Sequence, residues 1–275
     1  MLCFSVMALL LQHPSVRRIR RTSRCWLLHH HDLISSTTSN TVKKIQNLRD
    51  KRKKRIEYNQ VVVEGPRILL DLYKNEQTRP LIRHVVVDET LYDDYASQLE
   101  QVADVLQPAT SSVLQACTDT VTNQGIVAVC DIPNLLPIDN NIQYYPPLYL
   151  ILDGVSDPGN LGTLIRSAAA TGVAAVFLLP ESCDPWNPKA VRSAMGMTFY
   201  LPMVVTESWG DCLERLGSLN CKEIWAATML QKGQEERSKS HYAVDWIKDS
   251  TALVIGSEGN GLTEPIRRAV QAGEI

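Results

Sequence analysis

Residues Leu148 to Ala170 read LYLILDGVSDPGNLGTLIRSAAA. The apolar run that ends at Asp153 reads as a buried parallel strand, because a strand covered on both faces shows no polar alternation. Turn-formers follow at Asp153-Gly154, Asp157-Pro158-Gly159 and Asn160, and then a helix with Arg166 one to two turns inside it. Open α/β sheets hold their ligands at the carboxyl ends of their strands, so chemistry is sought first in this loop.

Downstream the pattern repeats as strand then helix. Strands are expected at Ala174–Leu179, Leu201–Val205, Glu223–Ala227 and Thr251–Ile255, with helices at Asn187–Met195, Ser208–Leu216 and after GSEGNGL. Such alternation implies a parallel sheet with right-handed crossovers. Upstream, residues 56 to 130 read as a small α/β domain with strands at Val61–Val63, His84–Val87 and Ile126–Cys130. Its helices run from Gly65-Pro66 to Tyr73 and from Tyr92 to Leu106. Between the halves, residues 131 to 147 (DIPNLLPIDNNIQYYPP) carry four prolines and consecutive asparagines, the composition of a linker.

Charge is unevenly placed. Residues 1 to 60 hold thirteen Lys and Arg against three acids, the remainder fifteen against twenty-seven, which together give the net charge of -2. A basic arm on an acidic body suits an import signal, a polyanion partner, or both. Residues 1 to 40 are rich in Arg, Ser and Thr with Asp32 as their one acid, the composition of a mitochondrial transit peptide. Met1–Leu11 is apolar, but it is too short to span a bilayer, and its positive charge follows instead of preceding it. Thr41–Arg55 is dense in Lys and Arg, which fits equally a solvated helical face and a helix that contacts phosphates. The seven cysteines are scattered without a C-x-x-C pair, so no disulfide framework or zinc site is indicated. His29-His30-His31 is read as incidental, and no metal is expected.

Two loops combine glycine with charge. In the first, Asn160 reads as an N-cap or loop residue and Arg166 as a helix residue able to reach back over the loop; an ordinary cap and an ordinary surface arginine would look the same. In the second, Gly256, Gly259 and Gly261 surround Ser257 and Glu258, a spacing that lets backbone approach a ligand but equally suits a plain turn. Neither a dinucleotide fingerprint nor a P-loop is present.

Taken together the loops are more specific. N-L-G-x-x-x-R at Asn160–Arg166, followed by L-V-I-G-S-E-G-x-G-L at Leu253–Leu262, resembles the first two signature motifs of the SpoU (TrmH-type) RNA 2′-O-ribose methyltransferases of the SPOUT superfamily. The segments K-R-I-E-Y-N-Q-V-V-V-E-G-P-R and Q-G-I-V-A-V resemble that family's small substrate-binding domain, and with the Arg-rich leader the resemblance is strongest to its mitochondrial large-subunit rRNA branch.

The resemblance implies an α/β trefoil-knot methyltransferase domain at 148–275, a parallel sheet flanked by helices. A transit peptide (1–40), a basic helix with a small RNA substrate-binding domain (41–130) and a linker (131–147) would precede it. It implies S-adenosylmethionine as methyl donor, RNA and in particular mitochondrial rRNA as partner, a homodimer without a membrane span, and a location in the mitochondrial matrix. Arg166 would help deprotonate the ribose 2′-hydroxyl, Asn160 would shape the same loop, and Glu258 would belong to the catalytic and cofactor loop. Gly256 would offer backbone contacts to the methyl donor, and Thr228 and Met229 would line its pocket. A third motif would follow Ile275, supplying a last knot-threading strand and helix, part of the adenosine pocket and much of the dimer contact. Without it the sheet is expected to be incomplete at its C-terminal end. A noncatalytic RNA-binding or ribosome-assembly role and a tRNA substrate are the alternatives.

Overall fold

The computed structural model describes residues 33–99, 101–102, 106–135, 146–228, 238–246 and 248–275. Residues 1–32 of the leader, with His29–His31, the centre of the linker, and Met229 lie outside the described residues. Two compact units are present: the described residues up to Lys54 with Val62–Asp131, and Arg55–Val61 with Ile132–Ile275.

The first unit begins with helix α1 (Asn40–Asp50), where the Ser39 hydroxyl accepts the Val42 N–H at 3.3 Å and so satisfies an orphan amide of the first turn. Val42, Ile45 and Leu48 recur on one face and are buried. The basic run is not one helix, because the backbone turns extended at Lys51 (φ −121°, ψ 108°) and resumes as α2 (Arg52–Tyr58). After β1 (Gln60–Glu64) and α3 (Pro66–Lys74) come β2 (Ile82–Asp88) and α4 (Tyr92–Gln98). The helix expected to reach Leu106 stops earlier, and Leu106 opens a further strand, β3 (Leu106–Ala109), followed by α5 (Ser111–Cys117) and β4 (Ile126–Asp131). The sheet order is β1-β4-β2-β3, with β2 antiparallel to β4 and parallel to β3. Its core joins the buried face of α1 to Val113, Leu114 and Cys117 of α5 and to Val62, Val86 and Val127 of the sheet.

The second unit follows the expected alternation. Its elements are β5 (Leu148–Asp153), α6 (Pro158–Ala170), β6 (Ala175–Leu178), α7 (Pro188–Ser193), β7 (Met203–Val205), α8 (Trp209–Ser218), β8 (Glu223–Ala227), β9 (Thr251–Gly256) and α9 (Glu264–Ala272). The sheet runs β7-β6-β5-β9-β8, and every pair is parallel. The continuous apolar run of β5 has a physical cause in this arrangement, because both faces are covered. Tyr149 and Ile151 enter one core cluster with Phe177, Val254 and Ile266, while Leu150 and Leu152 enter the other with Leu161, Ile165 and Ala168 of α6. Among the described residues no helix is long and apolar enough to cross a membrane.

Two arginines of the basic run are committed within the protein. Arg49 donates to the carbonyls of Ala116 and Thr118 at 3.1 and 2.8 Å. Arg55, whose side chain is only 4% exposed, donates to Asp184 Oδ2 from Nε at 2.9 Å and from the terminal nitrogen at 2.6 Å. Lys43, Lys44, Lys51, Arg52 and Lys53 stay exposed. Removing one partner of a buried pair strands the other charge, so Arg55→Ala is expected to cost about 3–5 kcal/mol in urea unfolding. Adding Asp184→Ala should recover part of that loss; a single variant as stable as the parent would show the pair to be dispensable.

Candidate active site

Sheet order assembles the site. Because β9 lies between β5 and β8, the loops leaving all three strands start side by side: Asp153 stands opposite Gly256, and Ala227 opposite Ile255. Thr228, the first residue beyond β8, is exposed and leaves the sheet next to Gly256. The two glycine-bearing loops thus meet although their sequences are far apart.

The first loop ends differently from the sequence expectation. The N-cap of α6 is Asp157, whose carboxylate accepts the Asn160 N–H at 2.8 Å, with Pro158 opening the helix. Asn160 is therefore already helical. An aspartate directly before a proline outcompetes it, since proline at the first helical position needs no N–H partner and its φ is preset. This backbone hydrogen bond, and then the Lys189 ammonium at 3.2 Å, hold the Asp157 carboxyl below its ordinary range. Arg166 consequently sits deeper in α6 than expected. It is exposed and six residues beyond Asn160, a rise of about 9 Å along the axis and a third of a turn off the Asn160 face.

Gly162 explains why α6 lies so close to its neighbour. A Cβ there would fall 2.4 Å from the Ala190 carbonyl oxygen and 2.6 Å from Ser193 Cβ, so α6 and α7 touch through backbone. The glycine of the first motif is a packing residue.

The second loop is a closed ring of backbone. Ser257 and Gly261 exchange N–H···O bonds of 3.0 and 2.9 Å, and the Ser257 hydroxyl accepts the Asn260 N–H at 3.2 Å. Gly261 turns with φ +68°, and a Cβ on Gly256 would lie 2.5 Å from the Gly261 carbonyl group, so neither position tolerates a side chain without rearrangement. A Cβ at Gly259 or Gly261 meets nothing within 4 Å, which leaves their backbone open to an approaching molecule. From this ring Glu258 accepts a hydrogen bond from Asn160 Nδ2 at 3.0 Å, joining two of the residues singled out in the sequence.

Beneath the ring lies a residue that sequence reasoning took as a strand end and turn-former, without a partner in the second loop. Asp153 is 1% exposed, and its carboxylate accepts the Thr263 N–H at 2.6 Å and the Thr263 hydroxyl at 2.8 Å. An acid closing an otherwise apolar strand was its one sequence signal.

Cysteine is a poor candidate nucleophile here. Burial pushes the thiols of Cys117 and Cys212 up to about 11 and about 12 and raises that of Cys130 as well. Among the described residues no group of three or more His, Cys, Asp or Glu could hold a metal ion.

The model of the SpoU rRNA Methylase family matches residues 147–273, and that of the MRM3-like substrate binding domain matches residues 39–128. The chain is 32% identical over 231 residues to the 23S rRNA (guanosine(2553)-2′-O)-methyltransferase RlmP of Bacillus subtilis, covering 83% of this chain and 84% of that protein. The chain belongs to the SpoU rRNA methylase family. The mitochondrial rRNA methyltransferase 3A of Danio rerio is 28% identical over 267 residues, covering 84% of this chain and 60% of the relative. The chain likewise spans 52% of an uncharacterized tRNA/rRNA methyltransferase of Synechocystis. The fold agrees with an rRNA methyltransferase from Sinorhizobium meliloti at a TM-score of 0.68 and 25% identity, over 86% of this chain and 85% of the other. The AdoMet-bound form of that enzyme superposes with a TM-score of 0.67 at 24% identity, over the same shares of the two chains. The sequence reading of family and fold is borne out: a parallel α/β SPOUT domain behind a small substrate-binding domain.

Since Gly162 is read as the contact that seats the first SpoU motif, Gly162→Ala is expected to cost about 1–3 kcal/mol, the range for overpacking a filled interior. Chemical denaturation checks it, and an unchanged midpoint would mean that α7 can shift without cost.

Proposed function

We propose that this protein is an S-adenosylmethionine-dependent RNA 2′-O-ribose methyltransferase acting on mitochondrial large-subunit rRNA. The observation that carries the reading is the junction of the two SpoU motifs through Asn160 and Glu258 above the carboxyl ends of β5 and β9. The open backbone at Gly259 and Gly261 suits a bulky polar methyl donor, and Gly256, Thr228 and Met229 are assigned to its pocket. When bound, the donor supplies an electrophilic sulfonium methyl group. This chain's part would be to align the ribose 2′-oxygen with that methyl group and to leave the hydroxyl proton a path to solvent or a nearby base.

For this chain's residues the roles follow from chemistry. A guanidinium is effectively always protonated, so Arg166 acts by stabilising the developing alkoxide instead of accepting its proton. Asn160 holds Glu258 in place, and Glu258 shapes the donor loop; placing the reacting atoms in line is a large part of such catalysis. The exposed Lys43, Lys44, Lys51, Arg52 and Lys53 supply sequence-independent attraction to RNA phosphates. We assign the chain a transit peptide at 1–40 and a place in the matrix, a reading supported by the mitochondrial relatives, and a homodimeric working form.

Arg166→Ala is expected to lower methyl incorporation from labelled S-adenosylmethionine by about 10²–10³-fold, the loss usual for an electrostatic stabiliser, with donor affinity by calorimetry nearly unchanged. An equal loss of both would make Arg166 structural, and no donor binding by the parent chain would leave an RNA-binding role. Mapping 2′-O-methylated positions after gene loss separates rRNA from tRNA. A reporter fused to residues 1–45 should enter mitochondria; its secretion would overturn the assignment.

A further inference from the structure

The buried carboxylate of Asp153 has an unusual partner. Thr263 is the N-cap residue of α9, a position where a hydroxyl ordinarily accepts an amide of the first helical turn. Here it makes no such bond. Its hydroxyl and its own N–H both donate to Asp153, at 2.8 and 2.6 Å. The local helix forgoes a cap so that a residue distant in sequence can be gripped.

The place of this grip matters. Gly256, where the glycine loop begins, is held in register opposite Asp153 by the β5–β9 pairing, and Thr263, just past the loop's end, is tied to the Asp153 side chain. Both ends of the loop are thereby referred to one residue of β5, the strand that leads into the Asn160 helix. Leu262 between them is buried with Tyr149, Ile151 and Ile266, so the C-terminal end of the loop is also pinned below. Between these two anchors lies the ring that presents Glu258 to Asn160.

We infer that Asp153 and Thr263 form a latch that positions the Glu258 loop against the Asn160 helix, making Asp153 a positioning residue for methyl-donor binding and transfer. The role rests on the methyltransferase reading above. Neither residue touches the reacting atoms; they act by keeping Glu258 and the open backbone of Gly259 and Gly261 at a constant height over the sheet. A carboxylate suits the task because it is acceptor-only and takes both Thr263 donors at once, whereas an amide in its place would have to turn one hydrogen bond around.

The test uses the full chain with Thr263→Val, which keeps the backbone bond and the branched shape but loses the hydroxyl, and Thr263→Ser, which restores the hydroxyl. Thr263→Val is expected to slow single-turnover methyl transfer by roughly 100-fold, the scale of a small misplacement near a reacting centre, and to weaken S-adenosylmethionine binding. It should also speed amide exchange at Ser257 and Gly261 while strands β5 and β9 keep their protection. Thr263→Ser should recover all three. Should Thr263→Val lower thermal stability yet leave loop exchange, donor affinity and rate unchanged, the hydroxyl is a structural tie and the latch is overturned. A parent chain without donor binding would instead count against the methyltransferase reading; loop exchange then decides the latch alone, and unaltered exchange at Ser257 and Gly261 would overturn it.

Discussion

The parallel pairing of β5 with β9 is the constraint on which the site depends. It sets Asp153 opposite Gly256, and that single register decides which loop residues can meet. A shift of β5 by one residue would turn the Asp153 carboxylate to the other face, and the same shift of β9 would move Gly256 and Thr263 out of line with it. The register is itself enforced by burial. With Tyr149 and Ile151 filling one core and Leu150 and Leu152 the other, neither face of β5 can be exchanged for the other without emptying both.

Above this constraint the site is built mostly from backbone. Gly162 lets two helices meet without side chains between them, and Gly256 lets the loop fold onto its own carbonyl. Close approach of this kind gives a loop a defined shape at small side-chain entropy cost, since the contacting groups have no rotamers to lose. The charged groups described there are the buried carboxylate under the loop, the exposed carboxylate hydrogen-bonded to Asn160, the Asp157–Lys189 pair at the start of α6, and an arginine farther along that helix. This set agrees with a reaction that requires alignment and modest charge stabilisation more than a strong acid or base.

The legible parts of the sequence were those set by local chemistry. The bounds of β5 and β8 agree with the hydrophobic pattern, and the parallel sheet follows from the strand and helix alternation. β3 was missed because it is four residues long and contains Pro108, which pattern reasoning counts against a strand. Asn160 was taken for a cap because the stronger signal, Asp157 before Pro158, was read as a turn. The basic run concealed a division of labour, since nothing in its spacing separates Arg49 and Arg55, engaged by carbonyls and a carboxylate, from the lysines left facing solvent. The partner of Asp153 was invisible for a simpler reason: it lies beyond four further strands, β6 to β9, and the helices between them, where no local pattern reaches.

That separation has a consequence for the order in which the molecule matures. The bond from Asn160 to Glu258 spans 98 residues and the grip on Asp153 spans 110. Contacts so distant in sequence give no return until the chain between them has been ordered, and during synthesis they wait for the later partner to emerge from the ribosome. The first loop is thus complete on the nascent chain well before it has anything to face. A half-made chain can carry the Asn160 helix without the Glu258 loop that it meets, so under the proposed function the basic N-terminal helices are in place before the methyl-transfer site is, and that site waits until β9 has taken its place in the sheet.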